Sequence, residues 1–174
     1  MSMNVEQRQI TDHGQVRIMK LPAGWIEAQV DRKPFDIWTM RTFHPVEKPQ
    51  VRLSFYYRGG PVSLAQSENF CQLLAQPPHD LSPEELWDIQ QVLRDAAIPG
   101  VFEKTSSSTL DWNGKRVVAI EGRWPGSQED SLTILIDADG TGAQVQEIVF
   151  AAPIEDYQRY RPATSLRDTP SVDK

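Results

Sequence analysis

The sequence predicts an α+β protein with a central antiparallel β-sheet flanked by α-helices. Three observations predict this class: alternating apolar and polar residues in the first third, two segments with helix-start signals after it, and further alternating stretches in the remainder. Strands that follow one another through short turns pair antiparallel, whereas strands alternating one by one with helices would predict a parallel sheet. With 174 residues, the chain is long enough to bury a core of its own.

The first predicted strands lie between residues 16 and 58. Residues 16–21 lead into a Pro/Gly turn before Trp25, and residues 26–30 and 35–43 alternate between apolar and polar types. Residues 51–58 form the clearest half-buried strand, because apolar side chains at 51, 53, 55 and 57 alternate with more polar ones. A Gly-Gly-Pro sequence ends this strand.

Two helices are predicted next. Ser63 followed by Gln66 fits a capping box, and the prolines at 77 and 78 end the first helix. Ser82 starts the second helix, with Pro83 at its first position and Glu85 completing a capping box. Apolar residues at 86, 89, 92, 93 and 96 predict one continuous amphipathic helix that ends at a Pro-Gly pair.

The remainder predicts a β-meander. Residues 105–111 and 116–124 form a hairpin around an Asn-Gly pair, and residues 132–136 form the next strand. Residues 137–142 turn the chain into a last strand, 145–151, which is apolar on both faces as an interior strand is. Residues 153–160 predict a short helix. Residues 1–14 and 162–174 are expected to be flexible, which leaves a single α+β domain over 15–161.

Composition excludes several classes of protein. The 18 Lys and Arg against 24 Asp and Glu give a net charge of −6, which argues against nucleic-acid binding. A single cysteine, Cys71, excludes an internal disulfide and a multi-cysteine metal site. There is no apolar stretch of the length that membrane insertion needs, and the first residues contain no signal-peptide core, so the expected location is cytoplasmic.

The candidate chemical motifs favour structural interpretations. Residues 137–142 resemble part of a calcium loop, but Ile148 stands where such a loop needs a bidentate Glu, so we interpret them as a turn. Cys71 lies within an amphipathic helix, where core packing is the better interpretation. The remaining candidates lack metal-ligand spacing or a catalytic motif: His13, His44, His79, Ser106–Ser108 and the pairs Glu84-Glu85 and Glu129-Asp130. The sequence therefore predicts no enzyme, no cofactor and no metal site.

Charge is distributed unevenly along the chain. Residues 1–60 carry a net charge of +3 and residues 61–174 a net charge of −9, and residues 61–100 contain one basic residue against six acidic ones. In the strand 51–58, Arg52, Tyr56 and Arg58 share the face opposite the core, and Arg41 lies on the preceding strand. Arg and Tyr are enriched at protein interfaces. These four residues form the candidate protein-interaction surface, with ordinary solvated surface as the alternative.

Several stretches resemble one protein family. They are a Pro-x-Gly-Trp opening at residues 22–25, the hairpin region Trp112–Gly122, the strand Val145–Pro153, and Tyr157 and Tyr160. This pattern resembles the PsbP-like superfamily, which includes the extrinsic photosystem II subunit, a Ran-binding nuclear import factor and bacterial chaperones for secreted effectors. Over residues 16–161, the resemblance implies an α/β/α sandwich with no shared catalytic centre, whose members act mostly by binding other proteins.

The sequence thus leads to a hypothesis of a non-catalytic protein-interaction module, adaptor or chaperone-like, with a protein as its partner. A small-ligand or metal-binding domain that uses a cleft between sheet and helices is the alternative. An enzyme whose residues converge only in three dimensions is a third possibility.

Overall fold

A computed structural model of the chain describes residues 23–28, 39–57, 62–98, 100–112 and 114–161. The strands of these residues are β1 (Trp25–Glu27), β2 (Thr39–Pro45), β3 (Arg52–Tyr57), β4 (Glu103–Trp112), β5 (Lys115–Trp124), β6 (Glu129–Asp137) and β7 (Val145–Pro153). The helices are α1 (Leu64–Ala75), α2 (Pro83–Asp88), α3 (Gln90–Leu93) and α4 (Ile154–Tyr160), with a 3₁₀ turn at Arg94–Ala97. The predicted flexible segments 1–14 and 162–174 and the predicted strand 16–21 lie outside the described residues. So do residues 29–30 of the predicted strand 26–30, residues 35–38 of the predicted strand 35–43, and the Gly-Gly-Pro sequence at 59–61.

The described strands form one sheet in the order β1-β2-β3-β7-β6-β5-β4, and every neighbouring pair is antiparallel. This confirms the predicted α+β class with a central antiparallel sheet. It also confirms the interior position of the last strand, because β7 lies between β3 and β6 and is hydrogen-bonded to both. The predicted Asn-Gly hairpin joins β4 to β5, and Gly114 supplies the positive φ of 81° that the turn requires.

Hydrophobic side chains pack on both faces of the sheet. Successive residues of β5 point to opposite sides: Val117 and Ala119 face one core, Val118 and Ile120 the other. The α4 face includes Phe43, Leu53, Phe55, Ile134, Ile148, Phe150 and Tyr157. The face covered by α1, α2 and α3, here called the helical-layer face, includes Phe70, Leu73, Ile89, Val92, Leu135 and Val145. Helices on both faces give the predicted α/β/α layering.

The second predicted helix is interrupted, so the prediction of one continuous helix is wrong. The backbone of Ile89 leaves helical geometry, with φ −120° and ψ 23°, between α2 and α3. Its side chain is only 1% exposed, and Val92 and Leu93 are also buried against the sheet. Tertiary packing at these three positions therefore overrides the helical periodicity of the sequence. One consequence is that α2 is a separate six-residue helix at the surface.

Of the two predicted capping boxes, the one that starts α2 is complete. The Glu85 N–H donates to Ser82 Oγ over 3.2 Å, and the Ser82 N–H donates to Glu85 Oε1 over 3.0 Å. At the start of α1 only half of the box forms, in the Gln66 N–H bond to Ser63 Oγ. Gln91 takes the other half, since its side-chain oxygen accepts from Ser63 N–H while its own N–H donates to Gln66 Oε1. This exchange ties α1 to α3.

Within the part of the chain that the structure describes, the outer strands of the sheet leave little backbone for another strand to pair with. β1 has three residues. On β4, the segment before α2 covers the middle of the strand: Leu81 N–H donates to the Ser107 carbonyl over 3.0 Å, and Thr109 N–H to the His79 carbonyl over 2.9 Å. A bulge between Lys104 and Ser106 disrupts the remaining part. Covered or irregular edges disfavour the addition of a strand from a partner.

The Asp-Gly segment between β6 and β7 is a turn, as predicted. Asp137 Oδ1 accepts from the N–H groups of Gly140, at 3.2 Å, and Gly142, at 2.9 Å. Its Oδ2 accepts from the Cys71 thiol on α1 over 3.7 Å. Burial, with a smaller contribution from Asp137, raises the pKa of the Cys71 thiol above its usual value, which keeps the sulfur protonated and weakly nucleophilic. Cys71 is half-buried and fastens this turn to the helical layer.

None of the helices in the described part of the chain has the length and apolar character needed to cross a membrane.

Candidate functional site

Of the four sequence-predicted interaction residues, the structure describes the side chains of Arg41 and Arg52, and these lie on opposite faces of the sheet. Arg41 lies on the α4 face, where its guanidinium group binds Glu27 in a bidentate pair at 2.9 and 3.0 Å and stacks over Phe43. Arg52 lies on the opposite face and donates to Glu129 over 2.6 Å. Tyr56 is described through its backbone, and Arg58 lies outside the described residues. The interaction role of these residues stays a prediction, but Arg41 and Arg52 cannot act together on one surface.

A different surface has the character of a binding site. A groove of about 280 Å³ opens between the helical layer and the sheet, beside the start of β4. Helices α2 and α3 and the 3₁₀ turn form one wall, and Phe102 and Ile120 lie at the base. The described lining is mostly apolar and consists of Pro83, Leu86, Trp87, Gln90, Leu93, Ala96, Ala97, Ile98, Phe102, Lys104 and Ile120. We call it the Trp87 groove.

Trp87 is the most unusual residue of this groove. Its side chain is 68% exposed, and Ile98 nearby is 46% exposed. Contiguous exposed apolar surface of this kind marks sites of interaction, whereas isolated exposed apolar residues are common on any protein. Tryptophan is also among the residues most enriched at the energetic centres of protein interfaces.

Trp87 lies on α2, and several hydrogen bonds fix the N-terminus of this helix. In addition to the capping box, His79 Nε2 lies 2.7 Å from Glu85 Oε2, and His79 Nδ1 lies 2.8 Å from the Pro77 carbonyl oxygen. Since both ring nitrogens face acceptors, the imidazolium form is favoured, and the pKa of His79 is raised chiefly by the hydrogen bond to Glu85. The pKa of Glu85 is lowered, first by the Ser82 backbone and then by His79. These contacts fix the start of α2.

The His79–Glu85 contact predicts a pH-dependent stability. A raised folded-state pKa for His79 means that its contribution is complete below the unfolded pKa of about 6.5 and is lost as pH rises through the folded value. We therefore expect the urea midpoint of the wild-type chain to fall as pH rises above about 6.5, and to fall more than the midpoint of His79→Gln. Urea midpoints across this range test it, with His44→Gln as the matched control. If the urea midpoints of wild type and His79→Gln changed equally with pH, this role of His79 would be contradicted.

A second, polar cleft of about 660 Å³ lies between the sheet and α4. Glu121 Oε1 accepts from Tyr157 Oη at 2.8 Å and from Arg161 Nε at 2.6 Å, and Arg123 pairs with Asp130 at 2.8 Å. Burial, reinforced by Glu121, raises the pKa of Tyr157, so its hydroxyl remains a donor. The cleft has the location that the small-ligand alternative expected. However, these charges neutralise one another, and the arrangement favours no class of ligand.

Sequence reasoning did not single out Trp87. The available signal was its position, since Trp87 lies beside the predicted apolar stripe and among the acidic residues Glu84, Glu85 and Asp88. A large aromatic residue on the polar face of an amphipathic helix has no core to enter. The part of the groove around Ile98 and Phe102 could not be placed from the sequence, because its position depends on how the chain leaves the 3₁₀ turn.

Comparisons with known proteins show a likeness of fold. No protein-family model and no curated protein sequence matches the chain. Among solved structures, the solution structure of cyanobacterial PsbP (CyanoP) from Synechocystis sp. PCC 6803 is similar, with a TM-score of 0.48 and 13% sequence identity. The match covers 87% of this chain and 83% of that chain. This loose match agrees with the resemblance expected from the sequence, and it describes the fold alone.

Proposed function

We propose that this protein is a non-catalytic interaction module, adaptor or chaperone-like, that binds another protein through the Trp87 groove. The observation that supports the proposal is the 68% exposure of Trp87 on a capped helix, at the rim of an apolar groove. An exposed tryptophan anchored on a rigid element loses little conformational freedom on binding, which favours its use as an interface anchor.

The chemistry of the groove supports binding over catalysis. Among the described residues that line it, Lys104 is the titratable one, and its Nζ donates to Ser107 Oγ over 3.2 Å. A general acid–base or nucleophilic mechanism needs at least a second group within hydrogen-bond reach of the reacting atoms. The covered and bulged edge strand β4 also favours a side-chain groove over strand addition as the mode of recognition. We place this activity in the cytoplasm as part of the proposal.

Trp87→Ser is expected to abolish partner capture while leaving the fold intact. Losing a large interface anchor costs about 2 kcal/mol or more of binding free energy, or about thirtyfold in affinity. The matched control is Leu64→Ser, because Leu64 is 76% exposed at the start of α1 and does not line the groove. Both changes remove exposed apolar side chains, so each is expected to alter stability by about 0.5 kcal/mol or less.

The measurement is quantitative mass spectrometry of proteins retained from native extract by wild type, Trp87→Ser and Leu64→Ser. Support requires a protein that wild type and Leu64→Ser retain and Trp87→Ser loses. A partner retained equally by all three would contradict the proposed groove. Including Arg52→Glu in the same comparison tests the surface predicted from the sequence, because loss of the partner with this variant alone would favour that surface.

A further inference from the structure

We infer that the segment that binds in the Trp87 groove is basic and amphipathic, with apolar side chains entering the groove and Lys or Arg side chains contacting α2. This inference rests on the proposed function and specifies its partner class.

Two exposed acidic side chains lie on α2, the helix that carries Trp87. Residues 61–100, which include α1, α2 and α3, contain six acidic residues and one basic residue, Arg94. Glu84 and Asp88 are both exposed on α2 and lie one helical turn apart, next to the line of residues that carries Trp87. Neither carboxylate has an ion-pair partner among the described residues. They are therefore placed to pair with basic groups of a bound segment.

The other charged groups near the groove leave the negative charge of Glu84 and Asp88 in place. Glu85 is engaged by His79, and their opposite charges compensate one another. On the β4 side of the groove, the Lys104 ammonium group donates a hydrogen bond to Ser107 Oγ over 3.2 Å. The remaining basic group, Arg94, follows α3 at the start of the 3₁₀ turn. Glu84 and Asp88 are thus the exposed charges of α2 that a segment bound beside Trp87 would contact.

The size and polarity of the groove specify the rest of the partner. An apolar cavity of about 150 Å³ holds a benzene-sized group, so a groove of 280 Å³ has room for about two large apolar side chains. Apolar anchors flanked by basic residues satisfy both the groove and its acidic border.

The test uses two synthetic peptides of about 15 residues, long enough to form a helix on binding. Both have leucines at amphipathic spacing, but one has lysine and the other glutamate at every charged position. Fluorescence anisotropy measures the affinity of each peptide for the full chain at low and high salt. We expect the basic peptide to bind at least tenfold more tightly than the acidic peptide, and to weaken as salt increases. Trp87→Ser should abolish its binding.

Charge variants locate the contact. Glu84→Gln and Asp88→Asn should each weaken the basic peptide by about threefold, as is typical of contacts at an interface border. Glu155→Gln is the matched control, because Glu155 is an exposed acidic residue of α4, which packs on the opposite face of the sheet from the groove. Equal affinity for the two peptides, absence of binding by the basic peptide, or equal effects of Glu84→Gln and Glu155→Gln would each overturn the inference.

The capture experiment separates this inference from the proposed function. A partner that depends on Trp87 but contacts the groove through an acidic segment, or that is a second copy of this chain, would overturn the basic-segment inference and leave the binding role of the groove in place. A captured partner that does not depend on Trp87 would overturn both.

Discussion

Gly142→Ala is expected to lower the free energy of unfolding by about 2–5 kcal/mol, the largest effect of any single substitution considered for the fold. Gly142 has a φ of +74°, which costs an L-residue about 1–2 kcal/mol. An added Cβ would also lie 2.2 Å from the Ser67 carbonyl oxygen and 2.9 Å from Cys71 Sγ. The carbonyl belongs to the backbone of α1, so relief requires the turn and the helix to separate.

Gly140→Ala is the matched control for that effect. Gly140 lies in the same turn with a φ of +82°, but an added Cβ would meet no atom within 4 Å. Gly140→Ala is therefore expected to lower the free energy of unfolding only by the cost of a positive φ for an L-residue, about 1–2 kcal/mol. Urea denaturation of the two variants separates conformational strain from close packing. Equal losses for Gly140→Ala and Gly142→Ala would show that contact between the turn and α1 contributes little.

Gly122→Ala is expected to destabilise the protein by about 1–3 kcal/mol and also to weaken partner binding. An alanine Cβ in β5 would lie 2.3 Å from the Glu103 carbonyl oxygen and 2.4 Å from Phe102 Cζ. Phe102 lines the Trp87 groove and packs on Trp124, with ring centroids 4.6 Å apart. Relief requires both the Glu103 backbone and the Phe102 ring to shift, and moving that ring changes the base of the groove.

Gly126→Ala provides the comparison for this prediction. Gly126 lies in the turn after β5, where an added Cβ meets no atom within 4 Å. Melting temperatures and affinity for the partner, measured below the melting transition of each variant, distinguish loss of fold from loss of the groove. Gly122→Ala with wild-type stability would contradict the close packing of β5 against Phe102. Reduced stability with wild-type affinity would show that Phe102 does not shape the binding surface.

Features set by local sequence were predictable. The alternation of β3, the Asn-Gly hairpin and the apolar β7 each depend on side-chain period or on one turn, and all three appear in the structure. The capping box at Ser82 is equally local. The predicted capping box at Ser63 forms only in part. Gln91, far along the chain, accepts from the Ser63 N–H and donates to the Gln66 side chain, so these two groups do not bond to each other.

Features set by contacts between distant residues were not predictable. The interruption at Ile89 reflects burial against the sheet, which the helical period alone does not show. That interruption, with the path from the 3₁₀ turn to Phe102, creates the groove, so the sequence could point to Trp87 but not to its surroundings. The relative placement of Arg41 and Arg52 was not predicted either, because it depends on how β2 pairs with β3, and this pairing places the two side chains on opposite faces of the sheet.

The central claim, that the Trp87 groove binds another protein, is tested most directly by photo-crosslinking inside the cell. A photoreactive amino acid with a large aromatic side chain, which keeps an aromatic anchor, replaces Trp87 in one variant and Leu64, comparably exposed but outside the groove, in another. We predict a specific crosslinked protein from position 87, with a basic segment at the attachment point, and no comparable product from position 64. The same crosslinked proteins from both positions, or none from position 87, would contradict the claim.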